Sequence, residues 1–166
     1  MTPSLTESQA LAALRAFLLA ILPAGIEVTR GQANRVPMPL GQFVAITPTR
    51  RMQMAQNAHA YDPTGQAETI ERSTRFDFQL DVYGDASPEN AQVITTLLRD
   101  EYGATALKPS GVAPLYCSDP MQMPLIAGEQ QYIDRWTMTV ALHSNVGVTV
   151  PMGFANTLIT TLTEIQ

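Results

Sequence analysis

The most regular pattern in the chain is IERSTRFDFQLDV, residues 70–82. Apolar or β-favouring side chains hold one parity from Ile70 to Val82, interrupted only by Arg72, while polar and charged side chains hold the other. Alternation with a period of two residues is typical of a half-buried β-strand. At about 3.3 Å per residue the pattern predicts a strand about 40 Å long, roughly twice the usual length.

A tight turn precedes this strand. Asp62-Pro63-Thr64-Gly65 places Asp first, Pro second and Gly last, as a type I turn favours. We therefore expect a long β-hairpin that rises through Phe43–Tyr61 and descends through Glu68–Tyr83. Its distal part, residues 48–70, is called the arm below and carries mostly polar and charged side chains.

The arm is too long for a domain of this size to cover, so we expect it to protrude. A two-stranded ribbon is only marginally stable in water unless another strand pairs with it. Strand addition onto a neighbouring subunit would satisfy its edges. The alternative is a disordered loop over Thr49–Gln66.

The N-terminal region predicts a helix. Thr6-Glu7-Ser8-Gln9 has the pattern of a capping box, and a helix is expected over about Glu7–Leu22. Its leucines at helical spacing form a core stripe, and Phe17 and Leu19 widen the apolar surface beyond one face. The helix is therefore either a central core helix or one shared with a neighbouring subunit.

A second helix is predicted after the long strand. Ser87 is expected as its N-cap, Pro88 as its first residue and Gly103 as its end. Residues 104–131 show no clear period and contain four prolines, which predicts a long loop.

The C-terminal part predicts at least one further strand. Tyr132–His143 alternates and is expected to pair with Arg75–Tyr83, so that Arg135 meets Asp77 or Asp81. Valines alternate again before Pro151, and Phe154–Ile165 fits either a strand or a helix. The predicted fold is α+β: one domain over residues 1–166, with a single antiparallel β-sheet, two main helices packed on one face and a long protruding β-hairpin.

The charge composition is unusual. Charged residues make up 15% of the chain, against about 25% in an average soluble domain, and nine arginines accompany a single lysine, Lys108. Arginine is enriched at protein interfaces and lysine is depleted there, so part of the surface is expected to be covered by neighbours. A net charge of −5 argues against a nucleic-acid reader, which would normally be strongly basic.

The charges are also divided along the chain. Residues 1–60 hold five arginines against Glu7 and Glu27, a net charge of +3. Because the whole chain has a net charge of −5, the remaining residues have a net charge of −8. A basic and an acidic part of one surface suit head-to-tail packing in a ring, although unpatterned surface charge would look the same in sequence. Arg30, Arg35, Arg50 and Arg51 form a candidate basic patch, for which acidic protein surface is the preferred partner.

No catalytic pattern stands out. The chain lacks a P-loop, a nucleophile elbow and a zinc-helix motif, and His59 and His143 occur in unrelated contexts. Asp77 and Asp81 lie about 13 Å apart along one strand, too far to share a metal, and are expected to form a solvated acidic row. The single cysteine, Cys117, is expected to be a buried apolar filler. We expect no cofactor, no metal and no membrane span, and a soluble protein made in the cytoplasm.

Several short motifs occur in a recognisable order: Arg50-Arg51, Tyr61-Asp62-Pro63, PLY at residues 114–116, Asp119-Pro120, GEQQYIDRW at residues 128–136, VTVP at residues 148–151 and Phe154-Ala155. In this order they resemble the neck terminator family of tailed phages, also called tail terminator or tail completion proteins. The resemblance covers most of the chain after about Phe43.

The resemblance implies a structural virion protein without catalytic residues. It implies a ring, a homohexamer, at the head-proximal end of the tail, which stops polymerisation of the tail tube and contacts the sheath and the head-completion proteins. DNA would pass through the ring without specific binding, along a lumen that includes Asp77 and Asp81. Another phage ring component, such as a head-completion or baseplate subunit, is the alternative, and a small-ligand module or enzyme is a remote one.

The residues expected to contact neighbours lie in the first helix and the arm. They are Phe17, Leu19, Arg50, Arg51, Met52, Met54, Tyr61, Glu68, Glu71 and Arg72.

Overall fold

Two long strands form the centre of the structure. The computed structural model describes residues 1–32, 39, 41–127 and 131–153. The helices within them are α1 (Glu7–Ile21), α2 (Ser87–Leu98) and α3 (Glu101–Leu107), followed by a 3-10 turn over Lys108–Ser110. The strands are β1 (Glu27–Arg30), β2 (Phe43–Gln53), β3 (Ala58–Asp62), β4 (Ala67–Tyr83), β5 (Ala113–Cys117), β6 (Met121–Gln122), β7 (Leu125–Ala127), β8 (Gln131–Ile133) and β9 (Arg135–Pro151).

The main sheet has the strand order β1-β2-β4-β9-β5, with β3 paired to β4 and β6 paired to β9. The fold is α+β, as expected, but the sheet is mixed because β1 lies parallel to β2. Twelve residues connect these two strands, which is enough for a crossover that returns the chain in the same direction. A separate two-stranded sheet, β7-β8, was not predicted.

The alternating stretch forms part of β4, which at 17 residues is longer than predicted. Strand β2 pairs antiparallel with β4 as far as Gln53 opposite Thr74, and β3 continues from Ala58 opposite Glu71 to Asp62 opposite Ala67. Strand structure therefore occupies most of the region for which a disordered loop was the alternative. In the turn, the Asp62 carboxylate accepts hydrogen bonds from the backbone N–H groups of Thr64 and Gly65, at 3.0 Å each.

Strand β9 supplies the third strand of the arm. It pairs antiparallel with the whole of β4, from Ala67 opposite Pro151 to Tyr83 opposite Arg135. We expected a neighbouring subunit to pair with the edges of the arm. For the β4 edge of the arm this expectation is wrong, because β9 of the same chain pairs with it. From Arg135 onward the two C-terminal alternations merge into this one strand, since residues 144 and 145 continue the ladder between them. Tyr132 and Ile133, predicted to begin the strand, belong to β8 instead.

Helix α1 has the predicted start. The Gln9 backbone N–H donates to Thr6 Oγ1 at 3.2 Å, and the Thr6 N–H donates to Gln9 Oε1 at 2.8 Å, which completes the capping box. The helix ends at Ile21, with Leu22 as its C-cap. Leu14 and Leu18 are fully buried, so α1 contributes directly to the core of its own chain.

The second helical region differs from the prediction in two ways. Ala86, not Ser87, is the N-cap of α2, and the Ser87 Oγ is buried without a hydrogen-bond partner among the described residues. Gly103 does not end this helix. The chain turns after Leu98, Asp100 caps a new helix through its carboxylate, and Gly103 lies inside α3.

The core lies between the helices and one face of the sheet. Even-numbered side chains of β4 and β9 point into it, including Phe76, Phe78, Leu80, Val140 and Leu142, each 2% exposed or less. They pack with the buried faces of all three helices. The predicted loop over residues 104–131 instead contains most of α3, the 3-10 turn, β5, β6 and β7. The ambiguous stretch Phe154–Ile165 lies outside the described residues.

Candidate assembly interface

In the part of the chain that the structure describes, the titratable side chains are spread over the sheet and the helices. Among the described residues, no group of three or more His, Cys, Asp or Glu is arranged to hold a metal ion. His59 contacts the Glu68 carboxylate on the arm, whereas His143 Nε2 lies 2.9 Å from the Ser73 hydroxyl on another part of the sheet. No helix in the described ranges has the length and hydropathy to cross a membrane.

Most of the predicted contact residues are accessible. Met54 and Tyr61 on the arm are 50% and 58% exposed, and Leu19 on α1 is 44% exposed. Arg50, Arg51, Glu71 and Arg72 are also exposed, while Met52 and Glu68 are half-buried. The arm therefore presents apolar and charged side chains to its surroundings.

Phe17 is not accessible. Its side chain is 5% exposed and its ring centroid lies 6.3 Å from that of Tyr102, so that it fills the space between α1 and α3. From helical periodicity Phe17 lies beside the leucine stripe of α1. If α1 packed on one side only, Phe17 would be exposed, which is why it was predicted to contact a neighbour. The third helix covers this second side.

Asp77 and Asp81 do not form a solvated acidic row. They are 6% and 7% exposed, and each has a cationic neighbour. Arg75 Nε donates to Asp77 Oδ1 at 2.6 Å, and Arg135 Nε lies 3.2 Å from Asp81 Oδ1 as an ion pair without hydrogen-bond geometry. The predicted contact of Arg135 is thus with Asp81. These pairs offset much of the negative charge on this face of the sheet.

A basic groove lies at the β1-β2 edge of the sheet. Its lining includes Arg30, Arg50, Arg51, Pro48 and Glu7, and its volume is about 590 Å³. The structure thus brings together three members of the predicted basic patch, and Arg35 lies outside the described residues. Within the described part of the chain, none of the three arginines forms an ion pair.

An aromatic cleft lies at the opposite, β5 edge of the sheet. It is lined by Leu98, Asp100, Glu101, Leu115 and Tyr116, among others, with a volume of about 580 Å³. Leu115 and Tyr116 are 46% and 55% exposed. This site was not predicted, because β5 has only five residues and contains Pro114, too short a stretch for a visible alternation.

Arg99 also lines the aromatic cleft. Its Nε and Nη2 donate to the Cys117 carbonyl oxygen at 2.9 and 2.7 Å, and Nη2 also donates to Asp119 Oδ1 at 2.7 Å. The hydrogen bond with Asp119 raises the pKa of the Arg99 guanidinium. Arg99 and Asp119 therefore neutralise each other, while the charges of Asp100 and Glu101 remain.

Cys117 is buried, as predicted, with 2% of its surface exposed. Burial raises the pKa of its thiol to about 11, and Asp119 adds to this effect while Arg99 opposes it. Because the folded-state pKa is higher than the unfolded value of about 8.5, the contribution to stability is complete below that value and is lost as the pH rises toward 11.

This shift predicts a specific alkaline destabilisation. Between pH 8 and pH 11, the free energy of unfolding of the wild-type chain should fall by about 3 kcal/mol more than that of Cys117→Ala. Urea titrations of both proteins across this pH range measure the difference. Both proteins contain the same tyrosines, so phenol ionisation affects them equally. Parallel curves would show that the thiol is not buried as described.

These features define a class: an α+β protein whose distinctive surfaces are exposed apolar side chains and charged grooves at the sheet edges, suited to contacts with other proteins. A family model described as phage neck terminator protein matches residues 8–165. The chain belongs to this family.

Solved structures are also similar to the chain. One is the sheath/tube terminator, in its extended state, of the extracellular contractile injection system PVC, with a TM-score of 0.54 and 11% identity. The match covers 98% of this chain but 64% of that one, so this chain is the shorter of the two. A chain of the virion of the native gene transfer agent particle matches with a TM-score of 0.33 and 18% identity, over 84% of this chain and 94% of that one. No curated protein sequence matches the chain.

Proposed function

We propose that the chain forms a homohexameric ring at the head-proximal end of the phage tail. There it ends polymerisation of the tail tube and offers a surface to the head-completion proteins. The observation that carries this proposal is membership of the neck terminator family over nearly the whole chain. The sheath/tube terminator with a similar fold supports a position where tube and sheath end.

The arm is the proposed contact with neighbouring virion proteins. Strand β3 is exposed at every residue and pairs only with β4 among the described strands, so this part of the arm extends from the core. Exposed Met54 and Tyr61 contribute the apolar and aromatic area that protein interfaces favour. Pairing with β9 gives the arm its own third strand, so we propose that it is ordered before assembly.

The face that carries Asp77 and Asp81 is proposed to line the passage for DNA. The structure changes the reason for this assignment, because both carboxylates are paired with arginines rather than free. DNA binding without sequence preference depends on cations that replace counterions on the phosphates. A face whose arginines are already neutralised would therefore hold DNA weakly and let it pass.

A phage that lacks this protein tests the function. Without it, electron microscopy should show tails of uncontrolled length and heads without tails, and the wild-type gene supplied in trans should restore joined particles. Tails of normal length that simply fail to join heads would instead favour a head-completion role. Normal joined particles in its absence would contradict any neck function.

The arm makes a separate prediction. The double variant Met54→Ser, Tyr61→Ser should lower the yield of joined particles at least about tenfold, because buried aromatic anchors dominate interface energies. Its free energy of unfolding should change by less than about 1 kcal/mol, since both side chains are exposed. The matched control is Met121→Ser, Tyr132→Ser, one Met and one Tyr that are 61% and 72% exposed outside the arm. Equal losses in both variants would rule out a particular role for the arm.

A further inference from the structure

The basic groove and the aromatic cleft lie at opposite edges of one sheet. In the order β1-β2-β4-β9-β5, the groove belongs to the first edge and the cleft to the last. Within one subunit these two surfaces are separated by the width of the sheet and cannot contact each other. Two different surfaces on opposite sides of a subunit are what a head-to-tail ring requires.

The basic groove has unused positive charge. Arg30, Arg50 and Arg51 are exposed, and no carboxylate of the described residues lies within ion-pair distance of them. Glu7 is the only acid among the lining residues, so the groove is net positive. Arginine guanidinium groups bind carboxylates through paired hydrogen bonds and stack on aromatic rings.

The edge beside this groove is closed to strand addition. Beyond Ile46, the outer edge of β2 has no partner strand among the described residues. Pro48 lies on this edge, and the register shifts between Pro48 and Arg50. Proline, bulges and charged side chains are the usual means by which edge strands avoid new pairing. A partner must therefore bind this edge through side chains.

The aromatic cleft has the complementary chemistry. Tyr116 and Leu115 supply exposed apolar area, and Asp100 and Glu101 supply negative charge at the rim. The Asp100 carboxylate accepts the hydrogen bond that caps α3 and forms no ion pair among the described residues. No hydrogen bond or ion pair within these residues involves the Glu101 side chain. The cleft is thus apolar at its base and net negative at its rim, since Arg99 is already paired with Asp119.

We propose that the basic groove of one copy binds the aromatic cleft of the next. Arg50 and Arg51 pair with Asp100 and Glu101 across the contact, and a guanidinium stacks on Tyr116. This inference rests on the proposed ring and names the surfaces that build it. It also accounts for the predominance of arginine over lysine, since arginine is the cation that interfaces prefer.

Charge reversal tests this contact in the purified full chain. Arg50→Glu, Arg51→Glu and, separately, Glu101→Arg should each raise the protein concentration needed for half-assembly at least about tenfold, because like charges then meet. Analytical ultracentrifugation and native mass spectrometry measure assembly. The control is Glu89→Arg, which reverses an exposed glutamate in the first turn of α2 instead of α3 and should change assembly less than about twofold.

Mixing the two reversed variants is the decisive measurement. In a ring where the two variants alternate, each charge-reversed groove meets a charge-reversed cleft, and each unchanged groove meets an unchanged cleft. Opposite charges then meet at every contact, so a ring with an even number of subunits should form. Circular dichroism confirms that each variant is folded before mixing. Oxidation of the double variant Arg51→Cys, Glu101→Cys should also link subunits by disulfides into covalent oligomers up to a closed ring. The control Arg51→Cys, Glu89→Cys should give no disulfide-linked oligomers.

The outcomes separate this inference from the function on which it rests. Rings that form but ignore every charge reversal would overturn the proposed contact and leave the ring in place. A wild-type chain that stays monomeric at all concentrations would overturn both. If Arg50→Glu, Arg51→Glu abolished binding to a DNA duplex without affecting the ring, the groove would be a nucleic-acid site and the proposed contact would be wrong.

Discussion

Phe78→Ala is expected to lower the free energy of unfolding by about 3–5 kcal/mol, the usual cost of emptying an aromatic site in a core. Phe78 lies midway along β4, opposite Pro48 on one side and Val140 on the other, and is fully buried. Strand β4 is hydrogen-bonded to β2 on one side and to β9 on the other, so the backbone around Phe78 cannot move in to fill the cavity that the substitution leaves. Urea denaturation at fixed protein concentration should show a lower midpoint with an unchanged slope.

Tyr61→Ala is the control for this loss. It removes an aromatic side chain of similar size from the same ladder system, but its side chain is 58% exposed. We expect a change of no more than about 0.5 kcal/mol, as is usual for exposed positions. A cost below about 1 kcal/mol for Phe78→Ala would mean that the helix layer does not cover this part of the sheet.

Gly103→Ala is expected to destabilise the chain by about 1–3 kcal/mol, opposite in sign to the usual effect of this substitution in a helix. A Cβ at position 103 would lie 2.6 Å from the Leu97 carbonyl oxygen and 3.0 Å from Leu98 Cα. Both are backbone atoms of the last turn of α2, so neither can move aside without shifting a helix. Thermal and urea unfolding measure the loss.

Ala106→Gly shows that the sign is specific to position 103. Ala106 lies in the same helix and is exposed, so this variant measures intrinsic helix propensity and should cost about 1 kcal/mol. Alanine is thus favoured at one position of α3 and excluded at the other. A stabilising Gly103→Ala would show that the two helices do not approach as closely as described.

Close packing of α2 and α3 also matters for the proposed ring. The loss of α3 geometry would displace Asp100 and Glu101, which form the rim of the aromatic cleft. A destabilised Gly103 variant should therefore also assemble poorly, even when it is folded. For this reason the charge-reversal variants, which touch only exposed side chains, are the cleaner test of the interface.

The long strand and the first helix could be predicted because their determinants are local. Period-two alternation over residues 70–82 requires only that one face of a strand be buried, and the Thr6 capping box closes within four residues. The Asp62 turn is equally local, since its hydrogen bonds reach only Thr64 and Gly65. In each case the pattern that predicts the element lies within the segment itself.

The candidate site was predicted only in part. The charge division between residues 1–60 and the remainder indicated a basic and an acidic surface, and the arginines at positions 30, 50 and 51 do line one groove. Phe17 was assigned to the wrong environment, because a covering helix cannot be inferred from the helix that it covers. The aromatic cleft was missed because β5 and most of α3 were assigned to a loop, while the start of α3 was assigned to the preceding helix.

By itself, the amino-acid sequence determined the α+β class, the long strand, the first helix and the uneven charge. The tertiary structure alone determined which edges are paired and which charges are free. Whether Asp81 is a solvated acid or a buried partner of Arg135 depends on a residue 54 positions away, brought close by the β4-β9 ladder. Local patterns report the side chains of one segment, whereas burial and ion pairing depend on the segments that fold against it.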